Sequence, residues 1–334
     1  MSRLPRLRSA MPAALLLTLA ACSNSAEPAA PSDPAARVST AFELPEERAY
    51  PEGIAVDSRT GDVYVGSWTT GAVYRATAGS GRAEVFLPSG TDGRMTANGL
   101  RVDSAGRLWV TDHTTGVAVY DTGTRALLAR FDTAAADQPF INDLAVTPDG
   151  SVYITDSVRP MIYRVGPEQL AAAVANGGRG TLPVYADLST AVGASAPGSY
   201  LLNGIVADEA GRYLLTVDMA SGDLYRIALQ SQPVITKVNL QGGNLINGDG
   251  LELHGDTLWA VHNKDNAVSR WRLTADGTAA ELQHRITDEA LRIPTTMAHS
   301  GDRVLVVVSQ FDRGGPMGAG TPSNPFRVVA VDGI

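Results

Sequence analysis

Leu202-Asn203-Gly204-Ile205-Val206-Ala207-Asp208, followed after a turn by Arg212-Tyr213-Leu214-Leu215-Thr216, decides the fold. A polar residue opens a short apolar strand, a Gly/Asp turn reverses the chain, and a second strand with a Leu/Tyr core returns. Tight reversals of this kind need residues that tolerate positive φ, which is why Gly and Asp mark them. The same scheme opens at Pro51-Glu52-Gly53-Ile54-Ala55-Val56-Asp57, Ala97-Asn98-Gly99-Leu100-Arg101-Val102-Asp103 and Ile141-Asn142-Asp143-Leu144-Ala145-Val146. It opens again at Gly248-Asp249-Gly250-Leu251-Glu252-Leu253 and at Ile293-Pro294-Thr295-Thr296-Met297-Ala298. Each copy has its second strand, from Asp62-Val63-Tyr64-Val65-Gly66 in the first to Arg303-Val304-Leu305-Val306-Val307 in the last.

Anchored on Glu52, Asn98, Asn142, Asn203, Asp249 and Thr295, the copies recur about every 45 residues, with one longer step after Asn142. Short strands at that period predict an all-β fold, a six-bladed β-propeller. The last copy has only three strands and ends in Phe326-Arg327-Val328-Val329-Ala330-Val331. The stretch from Ala36 to Leu44 supplies its missing outer strand, so the ring closes without an open sheet edge. The long step holds a helical stretch, Pro167 to Ala175, and a Gly/Ser/Ala-rich run to Ser199. It is expected to be an insertion in blade three, lying over one face. Trp68, Trp109, Trp259 and Trp271 are expected to pack between blades.

Ahead of the repeats, Arg3, Arg6 and Arg8 precede an apolar stretch from Met11 to Ala21, too short to span a bilayer. It ends in Leu19-Ala20-Ala21-Cys22, a small-residue pattern similar to a bacterial lipobox, and Cys22 is the only cysteine. The expected organisation is a lipoprotein signal peptide over 1–21, a tether over 22–36 and the propeller over 37–334. The chain is then exported, facing the periplasm or cell exterior, with membrane contact confined to a lipid on Cys22. A formal charge of −8 and the lack of a basic stripe argue against a nucleic-acid partner.

The polar residues that open the innermost strands converge on the channel: Glu52, Asn98, Asn142, Asn203, Asp249 and Thr295. Two carboxylates with several amide carbonyls form a hard oxygen set. It suits Ca²⁺, with Mg²⁺ or Mn²⁺ fitting once waters complete the shell. The five histidines are scattered through the repeats without ligand spacing; His262 is the one candidate for a place near a channel mouth, and a surface role is the expectation for it. No nucleophile elbow, phosphate loop or dinucleotide fingerprint occurs; Gly314 to Gly320 lacks the Lys-Ser/Thr of a phosphate loop and reads as a loop.

These motifs resemble the senescence marker protein (regucalcin)/gluconolactonase propellers and their relative diisopropylfluorophosphatase. The resemblance spans the repeats and is carried by Pro51-Glu52-Gly53, Ile141-Asn142-Asp143, Leu202-Asn203-Gly204 and Asn247-Gly248-Asp249-Gly250-Leu251. It implies that Glu52, Asn203 and Asp249 bind the metal, that Asn142 binds metal or substrate, and that Asp143 supports the site from behind. Asp249 then acts as general base or nucleophile on a lactone or ester. Asn98, Phe140 and Thr295 complete the surroundings. Phe140 stands where sugar-acid lactonases of that family often carry Arg, which favours a less polar substrate. Two functions follow: a divalent-cation-dependent hydrolase of a small-molecule lactone or ester, or a non-catalytic Ca²⁺-stabilised surface propeller that binds a ligand or protein. The lipid anchor is open to direct test. Cys22→Ala is expected to abolish acylation, checked by mass spectrometry of the membrane fraction; an unchanged acylated product would remove the lipoprotein assignment.

Overall fold

The computed structural model describes Met1 and residues 37–134, 138–193, 196 and 198–334; Cys22, the expected signal peptide beyond Met1 and the tether lie outside the described residues. The fold is a six-bladed β-propeller of six separate antiparallel-cored sheets. The innermost strands of blades one, three, four, five and six are Pro51–Val56, Ile141–Val146, Leu202–Ala207, Gly248–His254 and Pro294–Ser300; blade two uses Leu100–Val102. The strand Arg37–Glu43 pairs antiparallel with Arg327–Asp332, so the N-terminal segment forms the outer strand of blade six as expected.

Burial explains the strand sequences. Strands near the axis pack both faces against neighbouring blades, so Val152–Asp156 is buried throughout and reads as a continuous apolar run. Rim strands such as Ala279–Thr287 have solvent on one side and alternate accordingly. Six hydrophobic clusters fill the six gaps between blades. Ala55, Tyr64 and Phe86 of blade one meet Leu100, Leu108 and Tyr120 of blade two. At the seam, Phe42 and Val328 of blade six join Tyr50, Ile54 and Tyr74 of blade one. Trp109 and Trp271 belong to this inter-blade packing, as expected, and both are fully buried.

The insertion behaves differently from expectation. The helix Pro167–Ala175 turns Leu170 and Ala173 into the cluster between blades two and three, and Arg179–Thr181 then adds a parallel fifth strand to the outer edge of blade two. That half of the insertion buttresses a neighbouring blade and does not roof a face. The reason is hydrogen bonding: the outer strand Leu127–Asp132 would otherwise present unpaired backbone groups. Among the described residues no helix is long and apolar enough to cross a membrane.

Two devices shape the axis. In blades one, three, four, five and six the pairing register slips across the polar residue and its successor, as between Pro51 and Ile54 or Gly248 and Leu251. A bulge there re-aims the side chain. Four of the six polar residues are also followed by glycine. A Cβ on Gly53 would collide with the Asn98 carbonyl oxygen; one on Gly99 would stand 2.7 Å from that of Asn142, and one on Gly204 would collide with that of Asp249. Threonines fasten the carbonyls of three ring residues, Asn142 again among them. Thr111 Oγ1 donates to Asn142 O at 2.5 Å, Thr155 Oγ1 to Asn203 O at 2.8 Å and Thr295 Oγ1 to Glu52 O at 2.8 Å. Gly53→Ala is therefore expected to destabilise the fold by about 1–3 kcal/mol, the usual cost of overpacking. Gly81→Ala, with nothing within 4 Å of the added carbon, serves as control. Chemical denaturation of both variants measures the difference, and equal midpoints would refute the close-approach account.

Candidate functional site

Glu52, Asn142, Asn203 and Asp249 line one small cavity on the axis, together with Asp143, Thr295, Thr296 and Arg101. About 10 Å³ is free there to the centre of a water-sized sphere, room for one water or one ion. The four candidate ligands are all buried. Each is aimed inward by the bulge at the start of its strand, so a shared backbone irregularity converts a repeated sequence position into a converging set.

The hydrogen bonds leave specific oxygens open. Asn142 Nδ2 donates to Ser157 Oγ at 2.9 Å, while its Oδ1 is buried without a partner. Asn263 Nδ2 donates to Asp249 Oδ2 at 2.9 Å and fixes the carboxylate plane. Asn203 Nδ2 lies 3.4 Å from Met219 Sδ. Asn98 is fully buried, and neither end of its amide finds a partner; it stands just outside the cavity lining. Thr295 faces the cavity but spends its hydroxyl on the Glu52 carbonyl, and so acts as a clasp between blades six and one. Asp143 Oδ1 accepts from its neighbour's amide, Leu144 N, at 2.8 Å, and Oδ2 lies 3.8 Å from Arg101 Nη2.

Arg101 is the residue that sequence reasoning passed over. Its guanidinium extends from blade two to the Leu251 carbonyl of blade five at 3.5 Å, spanning the channel beneath the ligand set. The signal was present three residues after each ring position. There the repeats carry Ala55, Arg101, Ala145, Val206, Glu252 and Ala298, of which Arg101 and Glu252 alone are charged. Asn263 was also missed, since nothing marks an Asn after a second strand as the partner of a distant carboxylate.

Electrostatics make the pocket receptive to a cation. Burial raises the Glu52 carboxyl well above the usual range, helped by the nearby negative charges of Asp249 and Asp143 and opposed by Arg101. Burial likewise pushes Asp249 up to about 7, with hydrogen bonds from Asn263 and Asn203 opposing and Asp143 adding to the rise. Buried carboxylates that resist ionisation, next to an orphaned amide oxygen, are groups that a divalent cation would satisfy. The donor set thus fits a hard oxygen-ligated ion, Glu52, Asn142, Asn203 and Asp249 being the residues that would hold it. Among the described residues no three His, Cys, Asp or Glu side chains come close enough to share an ion, so the amides are needed to complete the set.

Around the mouth stands an aromatic arc. Trp68 stacks on His113 with centroids 4.7 Å apart and planes 5° apart, and lies 5.7 Å from both Phe140 and Phe311. Phe140 stacks on His113 at 4.8 Å and meets Tyr200 edge-on at 4.8 Å. Trp68 was expected between blades and does rest on the seam cluster between blades six and one, but it follows a second strand at the mouth and is only partly buried. His262 departs from the expected surface role. It is completely buried, with Nδ1 2.9 Å from the Ile246 carbonyl and Nε2 2.8 Å from Ser269 Oγ. Burial lowers it to about 4, so it is a neutral core residue and not a mouth residue.

No protein-family model matches the chain, and no curated protein matches it by sequence. Solved structures do share the fold. The Malassezia sympodialis allergen Mala s 1 superposes with a TM-score of 0.64 at 15% identity, over 87% of this chain and 95% of that one. A gluconolactonase from Xanthomonas campestris gives 0.60 at 18%, covering 89% of each chain. Regucalcin, a calcium-binding protein from Agrobacterium tumefaciens, gives 0.59 at 18%, covering 89% of this chain and 96% of that one. The neighbours thus include the gluconolactonase and regucalcin propellers that the motifs resemble.

The shifted carboxyls set a pH dependence. A raised folded-state carboxyl pKa contributes stability that is complete below about 4 and is lost as pH rises through the folded value. Metal-free protein is accordingly expected to lose stability between about pH 4 and pH 7, where Asp249 sits. Added Ca²⁺ should raise the melting temperature more at pH 8 than at pH 5. Melting curves with chelator and with Ca²⁺ across that range check this; a Ca²⁺ effect that shrinks as pH rises would contradict it.

Proposed function

We propose that this chain is a divalent-cation-dependent hydrolase of a small lactone or ester, with Ca²⁺ as the natural ion and Mn²⁺ or Mg²⁺ as substitutes. The observation that carries the proposal is the convergence of Glu52, Asn142, Asn203 and Asp249 on one axial cavity with Asn142 Oδ1 left without a partner. The gluconolactonase and regucalcin neighbours support a lactonase-like propeller, although a shared fold hosts many functions. When bound, the cation supplies Lewis-acid polarisation of the acyl carbonyl and charge stabilisation for the oxyanion.

The chain's own residues do the rest. Asn263 holds Oδ2 of Asp249, which turns Oδ1 to a water as general base. The water gives its proton to Asp249 and its oxygen bonds to the acyl carbon. The acyl C–O bond then breaks, and the departing alkoxide takes the proton back from Asp249. Glu52 and Asn203 orient from opposite sides of the ring, and Arg101 balances part of the local negative charge. Burial of the set excludes bulk water from the reacting groups. On the same footing, the protein is proposed to work at a membrane surface, exported and held by a lipid on Cys22.

One observation favours a second function. The cavity holds about one ion and no more, as a purely structural cation site would. On that alternative the chain is a non-catalytic surface propeller. The two separate cleanly on Asp249→Asn, which keeps an oxygen ligand and removes the base. For the hydrolase, kcat is expected to fall by about two orders of magnitude or more with the fold intact, and chelation should abolish wild-type turnover. Retained turnover in Asp249→Asn would remove this mechanism. Ca²⁺-dependent melting without turnover of any lactone or aryl ester would favour the structural alternative.

A further inference from the structure

The end of the propeller at which Glu52, Asn142, Asn203 and Asp249 open their strands carries five of the nine exposed large apolar side chains found beyond Met1 among the described residues. Exposed Met95, Tyr200 and Ile246 lie on connections that lead into innermost strands, and exposed Val158 and Met317 lie in turns that follow second strands. All five connections are at the same end as the ring. Apart from Met1, the other exposed large apolar residues, Val85, Val174, Val184 and Val234, sit on outer strands or on the inserted helix. Exposed apolar residues concentrated at the end that holds the site are the kind of surface a ligand can use.

Inside that rim runs the aromatic arc. Phe311, Trp68, His113, Phe140 and Tyr200 come from blade six, then one, two, three and the entry to four. Blade five is left out, and blade five carries Asp249 with Asn263. A flat group resting on the aromatic side therefore leaves its reactive end free to face the carboxylate. Phe140 and Phe311 offer no hydrogen bonds, so a polyhydroxylated ligand would lose water here without replacement, at a cost for every buried hydroxyl. Aromatic rings, in contrast, gain from offset or edge contacts with other rings beyond their area burial.

We infer that the arc and rim select a lactone or ester whose acyl or alcohol part is a flat aromatic group; the inference rests on the hydrolase function proposed above. The test compares 3,4-dihydrocoumarin with δ-valerolactone, and measures binding of chroman, the same bicyclic frame without a carbonyl, by saturation-transfer NMR. Phe140→Leu and Trp68→Leu keep apolar volume and remove the ring face, with melting temperature as the folding control. The expected results are a kcat/KM ratio favouring dihydrocoumarin by at least about tenfold, and a fall in that ratio of about three- to tenfold in each Leu variant. Chroman should bind wild type and weaken in both variants. Equal use of the two lactones, or a ratio unmoved by both substitutions, would overturn the inference and leave the hydrolase standing. Chroman binding that depends on Phe140 and Trp68, without turnover of either lactone, would keep the aromatic site and overturn the hydrolase. Absence of both turnover and chroman binding would overturn the two together.

Discussion

Crowding at the axis governs this molecule. Six innermost strands converge until the carbonyl of one ring residue occupies the place where a neighbour's Cβ would stand, at Gly53, Gly99 and Gly204. Ring-residue carbonyls buried this closely need donors, and the hydroxyls of Thr111, Thr155 and Thr295 provide them at Asn142, Asn203 and Glu52. With the strands this close, the bulge that starts five of the six aims its ring residue into the central space. The ligand candidates are therefore not independent placements. They follow from one packing solution applied at successive blades.

Where the repeat breaks its own rule, chemistry gathers. Blade three has Asp143 in place of the glycine, and its carboxylate fills room left beside Gly99. Blade two places Arg101 where other blades have small residues or Glu252, and the guanidinium reaches Asp143 at 3.8 Å. These two departures set a charged floor under Glu52 and Asp249. A half-buried guanidinium near three buried carboxylates offsets part of their repulsion but not all of it, which leaves the pocket short of positive charge.

Much of this was legible in the sequence, and what was not has physical causes. The repeat period and the closing strand at Arg37–Glu43 were readable because short buried strands must alternate with Gly/Asp turns. The convergence of Glu52, Asn142, Asn203 and Asp249 was readable only from the repeats taken together, because a single polar residue at the head of a strand can as well cap a turn. The inserted segment was misjudged: the helix Pro167–Ala175 buries only Leu170 and Ala173, and nothing local says which blade edge it covers. The mouth position of Trp68 and the core position of His262 were not readable for a similar reason. Each stands at the end of a second strand, and the choice between core and mouth depends on partners outside that strand, Phe140 and Phe311 for one, Ile246 and Ser269 for the other. Asn263 was invisible because its role exists only through the bond to Asp249.

Arg101 lies across the channel's width, from blade two to the carbonyl of Leu251 in the opposite blade. Under the proposed hydrolase, this bar narrows the far side of the bore and leaves the mouth with the aromatic arc as the door by which a substrate would enter and its products leave. For a hydrolase this imposes queueing: the acid and the alcohol depart in sequence through the passage that admits the substrate. A product that keeps the flat group is then the slowest to clear, and traffic through the doorway becomes part of the kinetic cycle as surely as bond breaking does.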